Sequence, residues 1–194
     1  MRTRFAIATI LAGVGLLASA WPAQAQIVYT PVNITIRPNT SYNLDVNNDG
    51  VTDFTITSFF TREGPGCHEK LGAGGALSET AASEDGALIG PLSEGDEIGP
   101  GQVFTGGTLY MDSFHDGQKT KVGVCHELWS WPWYLKEGTA TGYLGLSFQL
   151  NGEIYYGWAQ LSVNGKSKTG ITAALTGYAY ETTPGMPINA GQTE

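Results

Sequence analysis

Oxygen-bearing side chains recur at short, regular spacing in Asp45-Val46-Asn47-Asn48-Asp49-Gly50-Val51-Thr52-Asp53. Asp45, Asn47, Asp49 and Asp53 fall at positions 1, 3, 5 and 9 of a calcium-binding loop, with glycine at position 6 and the Val51 carbonyl available at 7. A hard cation wants six or more oxygens, and glycine permits the sharp turn that brings them round it. Three carboxylates within nine residues also repel one another unless a cation neutralises them. Position 12 is Ile56 rather than a bidentate glutamate, and strand-forming residues follow instead of a helix. The spacing therefore predicts a truncated, structural calcium loop and not a regulatory EF-hand. The competing expectation is a plain hairpin turn, for which Asp49-Gly50 alone is suited.

Aromatic rings form the second constellation. Trp129, Trp131, Trp133 and Tyr134 lie within six residues, with Pro132 among them arguing against a central strand. Stacked indoles on a loop receive sugar rings or an apolar partner. The same loop could instead plug the open end of a β fold, and the sequence does not separate the two. Tyr156 and Trp158 join the list of candidate ligand-binding aromatics, and a glycan or another surface protein is the partner such rings would suit.

Cys67 and Cys125 each head a Cys-His-Glu triplet. In an exported chain an even pair is most simply one disulfide. Closing the 58-residue interval between them would stabilise the fold by about 4 kcal/mol on the chain-entropy view. A Cys2His2 zinc site with His68 and His126 is the alternative, disfavoured because adjacent strand residues point to opposite faces.

Catalytic patterns are missing from the sequence. His68, His115 and His126 lie in no His-Glu-x-x-His motif, and no Gly-x-Ser-x-Gly elbow occurs. Asp112, Ser113 and His115 have the residue types of a hydrolase triad, but neighbours on one strand do not supply its geometry. The expectation is a non-enzymatic protein. A secreted hydrolase acting on polysaccharide or cell-wall polymers is kept as the alternative, using Asp112 or His115 with Glu127. A self-assembling surface or matrix protein is the other.

The elements that must position these residues are strands. Charged residues make up 14% of the 194-residue chain and glycine contributes 27 positions, a balance that favours strands and turns over helices. Apolar alternation marks Ile27–Thr30, Asn33–Ile36, Tyr42–Val46, Val51–Phe60, Val103–Met111, Thr120–Cys125, Tyr143–Leu150, Glu153–Val163 and Ile171–Glu181. The predicted fold is all-β: an antiparallel two-sheet sandwich, jelly-roll-like, spanning residues 26–194. Its one long loop, 72–101, holds six acidic and no basic residues and would be a solvated excursion or a lid. The dipeptide Asn151-Gly152 is the strongest hairpin signal. It sets Leu144, Leu146, Phe148, Tyr155, Ala159, Leu161 and Val163 on one face, and Tyr143, Ile154, Tyr156 and Trp158 on the other, with Gly145 opposite Trp158. Both faces are apolar enough that the second must be covered or used for binding.

Residues 1–25 have the organisation of a secretory signal peptide. Arg2 and Arg4 precede an uncharged run from Phe5 to Trp21, and Ala23-Gln24-Ala25 is a small-x-small cleavage signature before Gln26. The run is too short for a spanning helix and has no stop-transfer cluster behind it. Secretion, or residence in a periplasm or at the cell surface without stable membrane insertion, is the expected location. The formal charge of −8 becomes −10 once the two leader arginines are lost. That balance excludes a nucleic-acid partner, since nothing could neutralise a phosphate backbone.

The segment Gly142-Tyr143-Leu144-Gly145-Leu146-Ser147-Phe148, the strand Tyr156-Gly157-Trp158-Ala159-Gln160-Leu161 and the closing Gly177-Tyr178-Ala179-Tyr180-Glu181-Thr182-Thr183-Pro184 resemble the C-terminal part of a group of bacterial exported β-rich proteins. These are PEP-CTERM-like and acidobacterial secreted proteins, many bearing a sorting tail. The resemblance covers residues 142–191 best. The chain lacks a Pro-Glu-Pro motif, apolar helix and basic end, so sorting is not implied. What the resemblance implies is export and a β fold, with no activity attached.

Overall fold

The computed structural model describes residues 26–63, 66–75, 86–87, 91–104, 109–115, 133, 139–164 and 170–194. Their elements in chain order are β1 (Ile27–Ile36), β2 (Thr40–Leu44), β3 (Phe54–Glu63), β4 (Gly66–Gly75), β5 (Gly86–Ala87), β6 (Glu97–Ile98), β7 (Leu109–His115), β8 (Ala140–Leu150), β9 (Glu153–Asn164), β10 (Thr172–Glu181) and β11 (Ile188–Asn189). Every described strand pairing is antiparallel, and no helix occurs among the described residues.

Two consecutive runs of strands generate most of the architecture. Strands β8, β9 and β10 follow one another into a five-stranded sheet of order β1-β10-β9-β8-β5, and β2, β3 and β4 into a four-stranded sheet of order β2-β3-β4-β7. The β8–β9 turn is set by local chemistry. Asn151 and Gly152 both take positive φ, 55° and 83°, as a type I′ turn demands. The register then places Leu150 opposite Glu153, Phe148 opposite Tyr155, Gly145 opposite Trp158 and Leu144 opposite Ala159, as the two-residue turn predicts.

Side-chain alternation follows from that register. Leu144, Leu146, Phe148, Ala159, Leu161 and Val163 face Leu44, Phe54, Ile56, Leu71 and Ala73 of the four-stranded sheet in one continuous core. Phe54 meets Phe148 edge-on at 6.4 Å across the two sheets. Each fully buried large side chain contributes about 1.5–3 kcal/mol. The buried Ser58 hydroxyl donates to the Ile171 carbonyl at 2.6 Å, so a polar group of β3 is satisfied by the opposite sheet rather than left unpaired.

The opposite face of the five-stranded sheet is buried at one end, while Thr141 and Asn164 at the other are exposed. Tyr156, Trp158 and Ala179 pack with Ile98, Ile188 and Ala190, flanked by Ile27, Leu92, Phe104, Tyr143 and Ile154. The covering layer is the short β6–β11 ribbon, with Ile188 opposite Ile98. Leu92 adds a bridge to Tyr143 through reciprocal backbone hydrogen bonds of 2.9 and 3.0 Å.

The 72–101 segment is not all loop where it is described, although Ser93–Glu97 are exposed as expected. Residues 72–75 complete β4, β5 pairs with β8, and Leu92 and Ile98 cap the second face. Apolar side chains spaced between the acids give this stretch a surface to bury, which net charge alone conceals. Other boundaries differ too: β2 and β3 end and begin at Leu44 and Phe54 rather than at Val46 and Val51. Ile27–Thr30 and Asn33–Ile36 are one strand, irregular between Pro31 and Ile34; being at a sheet edge, β1 tolerates a residue without N–H. Val103 and Phe104 precede rather than join β7. β4 was not expected, and the Thr120–Cys125 strand lies outside the described residues.

Close packing between β9 and β10 gives a direct test. A Cβ at Gly157 would meet the Ala179 carbonyl oxygen at 2.5 Å, whereas one at Gly101 would meet nothing within 4 Å. Gly157→Ala should destabilise by about 2 kcal/mol in urea unfolding, with Gly101→Ala near neutral; equal midpoints for both would contradict this packing.

Candidate functional site

The connection between β2 and β3 is nine residues long, since Leu44 pairs with Phe54. It is therefore a loop and not the two-residue turn that Asp49-Gly50 alone could have made. Val46, wholly buried in the main core, anchors its start. The Asp53 N–H donates to the Leu44 carbonyl at 3.0 Å and closes its end.

Side-chain oxygens organise the interior of the loop. Asp45 accepts from the Asp49 N–H (Oδ1, 3.1 Å) and the Gly50 N–H (Oδ2, 2.7 Å). Asn47 Oδ1 accepts from the Asp49 N–H at 3.0 Å, and Asp49 Oδ1 from the Val51 N–H at 2.8 Å. Asp53 Oδ2 accepts from the Val46 N–H at 2.7 Å, tying the two ends together. Asn48 and Gly50 take φ of 59° and 88°, left-handed conformations that asparagine tolerates and glycine adopts freely. The alternation of oxygen-bearing residues thus becomes successive Asx turns that fold the backbone inward.

The loop leans on the five-stranded sheet. The Tyr178 hydroxyl donates to Asn48 Oδ1 at 3.3 Å, and Asn48 Nδ2 reaches Thr30 Oγ1 at 3.5 Å. Burial pushes the Tyr178 hydroxyl above its ordinary 10.0; the hydrogen bond with Thr30 acts the other way, and Tyr42 and Asp45 add to the rise. Tyr180 is raised by burial, then by Tyr155, Asp49 and Asp53. Loop carboxylates and two sheet tyrosines are electrostatically one neighbourhood.

As a cation site the loop offers Asp45, Asn47, Asp49, the Val51 carbonyl and Asp53. Among the described residues no three of His, Cys, Asp and Glu converge closely enough to hold a metal. A cation here would have to draw these carboxylates together, with the Asn47 amide and the Val51 carbonyl completing the donors.

The aromatic candidates separate. Tyr156 and Trp158 are 5% and 2% exposed, inside the second core. Trp158 donates through Nε1 to the Gln192 carbonyl at 3.1 Å and meets Tyr143 edge-on at 5.2 Å. Neither ring is an open platform, because a segment some thirty residues further along the chain covers them. Trp133 is 1% exposed and belongs to the main core, and its Nε1 has no partner among the described residues. Trp129, Trp131 and Tyr134 lie outside the described residues.

Other expected sites are only partly visible. The backbone of Cys67 and His68 is in β4, with His68 opposite His115 and Leu71 opposite Asp112 of β7. Cys125, His126 and Glu127 lie outside the described residues, and with them the disulfide, the zinc alternative and the hydrolase constellation. Compared with known protein families, curated proteins and solved structures, the chain matches none.

Two features near the second core were not expected from the sequence. Tyr29, 40% exposed, lies over Gly177, where a Cβ would meet its ring at 2.8 Å. Glu181 is 2% exposed, with Oε1 accepting from two backbone N–H groups. A glutamate ending a strand carries no signal that its carboxylate turns inward.

The raised tyrosines set a pH dependence. Tyr143, Tyr178 and Tyr180 hold their protons more tightly folded than unfolded. The resulting stability is complete below the unfolded value of about 10 and is lost as pH rises through the higher folded values. Urea midpoints should fall with pH above 10, and Tyr178→Phe should flatten the fall. A midpoint unchanged between pH 9 and 11 would contradict it.

Proposed function

We propose that the chain is an exported, non-enzymatic two-sheet β-sandwich acting as an extracellular binding or structural module, with one calcium ion as a structural part of the 45–53 loop. The observation that carries the module reading is that the chain's own residues cover one face of the five-stranded sheet and, on the other, the end carrying Tyr156, Trp158 and Ala179. A sheet packed on both sides is a rigid support, and recognition falls to the loops it holds. The paired meanders β2–β3–β4 and β8–β9–β10 around one core support the sandwich. A jelly-roll-like winding is the finer version of that reading, with strand crossovers between β1 and β2, β4 and β5, β5 and β7, and β7 and β8.

A glycan or another surface protein is the proposed partner, met through the 129–134 segment. A polysaccharide panel read by tryptophan fluorescence should give saturable quenching that Trp129→Ala or Trp131→Ala removes. Absence of any response across the panel would remove the glycan version.

For calcium, the support is the loop's arrangement: side-chain oxygens at alternating positions held by loop amides, with Asn48 and Gly50 left-handed. The carboxylates of Asp45, Asp49 and Asp53, which do not converge in the loop as it stands, would close round the ion with the Asn47 amide and Val51 carbonyl, and the ion would offset the repulsion that closure creates. Calcium at a hundredfold excess over its Kd adds about 2.7 kcal/mol. Chelation should therefore lower the melting temperature by several degrees, and Asp45→Ala should abolish that sensitivity. An identical melting curve with and without chelator would contradict the calcium assignment.

A further inference from the structure

We infer that the buried carboxylate of Glu181 is the seat of a charged chain terminus, the α-ammonium group created when the chain is cut between Ala25 and Gln26. The inference rests on the export reading for the place of the cut and on the geometry of the β1–β10 edge for everything else. The Gln26 nitrogen lies 3.1 Å from Glu181 Oε1, and the same oxygen accepts from the Thr183 N–H at 2.7 Å. The Gln26 carbonyl accepts from the Thr182 N–H at 2.9 Å, and Ile27 stands opposite Glu181 in the β1–β10 ladder. The first residue after the cleavage signature is thus held on both sides, its nitrogen by a carboxylate and its carbonyl by a backbone amide.

Charge makes this arrangement informative. Glu181 is 2% exposed, and a buried carboxylate is costly unless a cation compensates it. Among the described side chains the only lysine or arginine is Arg37, just beyond the far end of β1. In the uncut chain Gln26 offers one neutral amide N–H. After cleavage the same nitrogen carries a positive charge and further protons, so a neutral hydrogen bond becomes a charge-assisted one without moving a backbone atom. Cleavage then does more than release the protein: it completes an ion pair that fastens the edge strand β1 to β10.

The charge can be removed without removing the N–H. In cyclisation of an N-terminal glutamine, the α-amine nitrogen attacks the side-chain amide carbon. The bond from that carbon to the amide nitrogen breaks and ammonia leaves with the proton, giving a neutral pyroglutamyl lactam. Three forms of the mature chain, which contains every described residue, are compared by thermal melting. They are the free Gln26 amine, the pyroglutamyl form made with a glutaminyl cyclase, and a form retaining Ala23-Gln24-Ala25, each verified by intact mass. The free amine should melt about 3 °C or more above both others, and Glu181→Gln should collapse the difference. Coincident melting of the free-amine and pyroglutamyl forms overturns the proposal, and so does a difference that persists undiminished in Glu181→Gln. Should Glu181→Gln fail to fold, the comparison of those two forms decides alone. Mass spectrometry of the N-terminal peptide of the exported protein, which reads Gln26 whether its amine is free or cyclised, separates the two premises. Gln26 as first residue supports the cut, and another first residue overturns it whatever the melting series shows.

Discussion

Strand β9 is apolar on both faces from Ile154 to Ala159, and most of the molecule is arranged to satisfy that constraint. Ala159, Leu161 and Val163 turn to the four-stranded sheet, while Tyr156 and Trp158 turn away from it. A strand of this kind cannot stand at a surface, so it is central in its sheet, with β8 and β10 on either side. The first face is covered by a second sheet. The second is covered by pieces with little secondary structure of their own: the two-residue strands β6 and β11, Leu92, and the end of the chain at Gln192. Removing apolar surface from water on both sides holds these short segments in place.

The same constraint organises the sites. Because Trp158 needs a cover, the C-terminal residues are committed to the core and Trp158 is committed to the Gln192 carbonyl. Because β1 completes the sheet edge beside β10, the residue following the leader signature comes to lie against Glu181. The 45–53 loop is anchored through Val46 in the main core, which brings its asparagine and carboxylates to Tyr178 and Tyr180. In each case a polar feature is placed by the burial of an apolar neighbour.

What the sequence made legible was local. The Asn151-Gly152 turn fixes its register within two residues, so every facing pair from Leu144 to Leu150 follows from it. The Asp45–Asp53 spacing likewise encodes its own Asx turns, down to the glycine at the left-handed position. What it hid depended on distant partners. Strand β4 is rich in glycine and charge and joins the sheet through β3 and β7 rather than through its own propensity. The covering role of Ile188 and Ala190, and hence the burial of Tyr156 and Trp158, involves residues far apart in the chain. The inward turn of the Glu181 carboxylate is invisible until Gln26 is brought beside it. An alternating pattern shows that a face is apolar, but not whether the chain or a ligand will cover it.

The central claim, that β9 is buried on both faces around Tyr156–Trp158 by the protein itself, is tested most directly by amide hydrogen exchange across the whole chain. The account predicts the slowest exchange at Tyr156–Leu161 and their β10 partners, approaching the rate set by global unfolding, with measurable protection at the Ile188 and Ala190 amides. Rapid exchange along Tyr156–Leu161, or amides at 188–190 exchanging like an unstructured peptide, would contradict it.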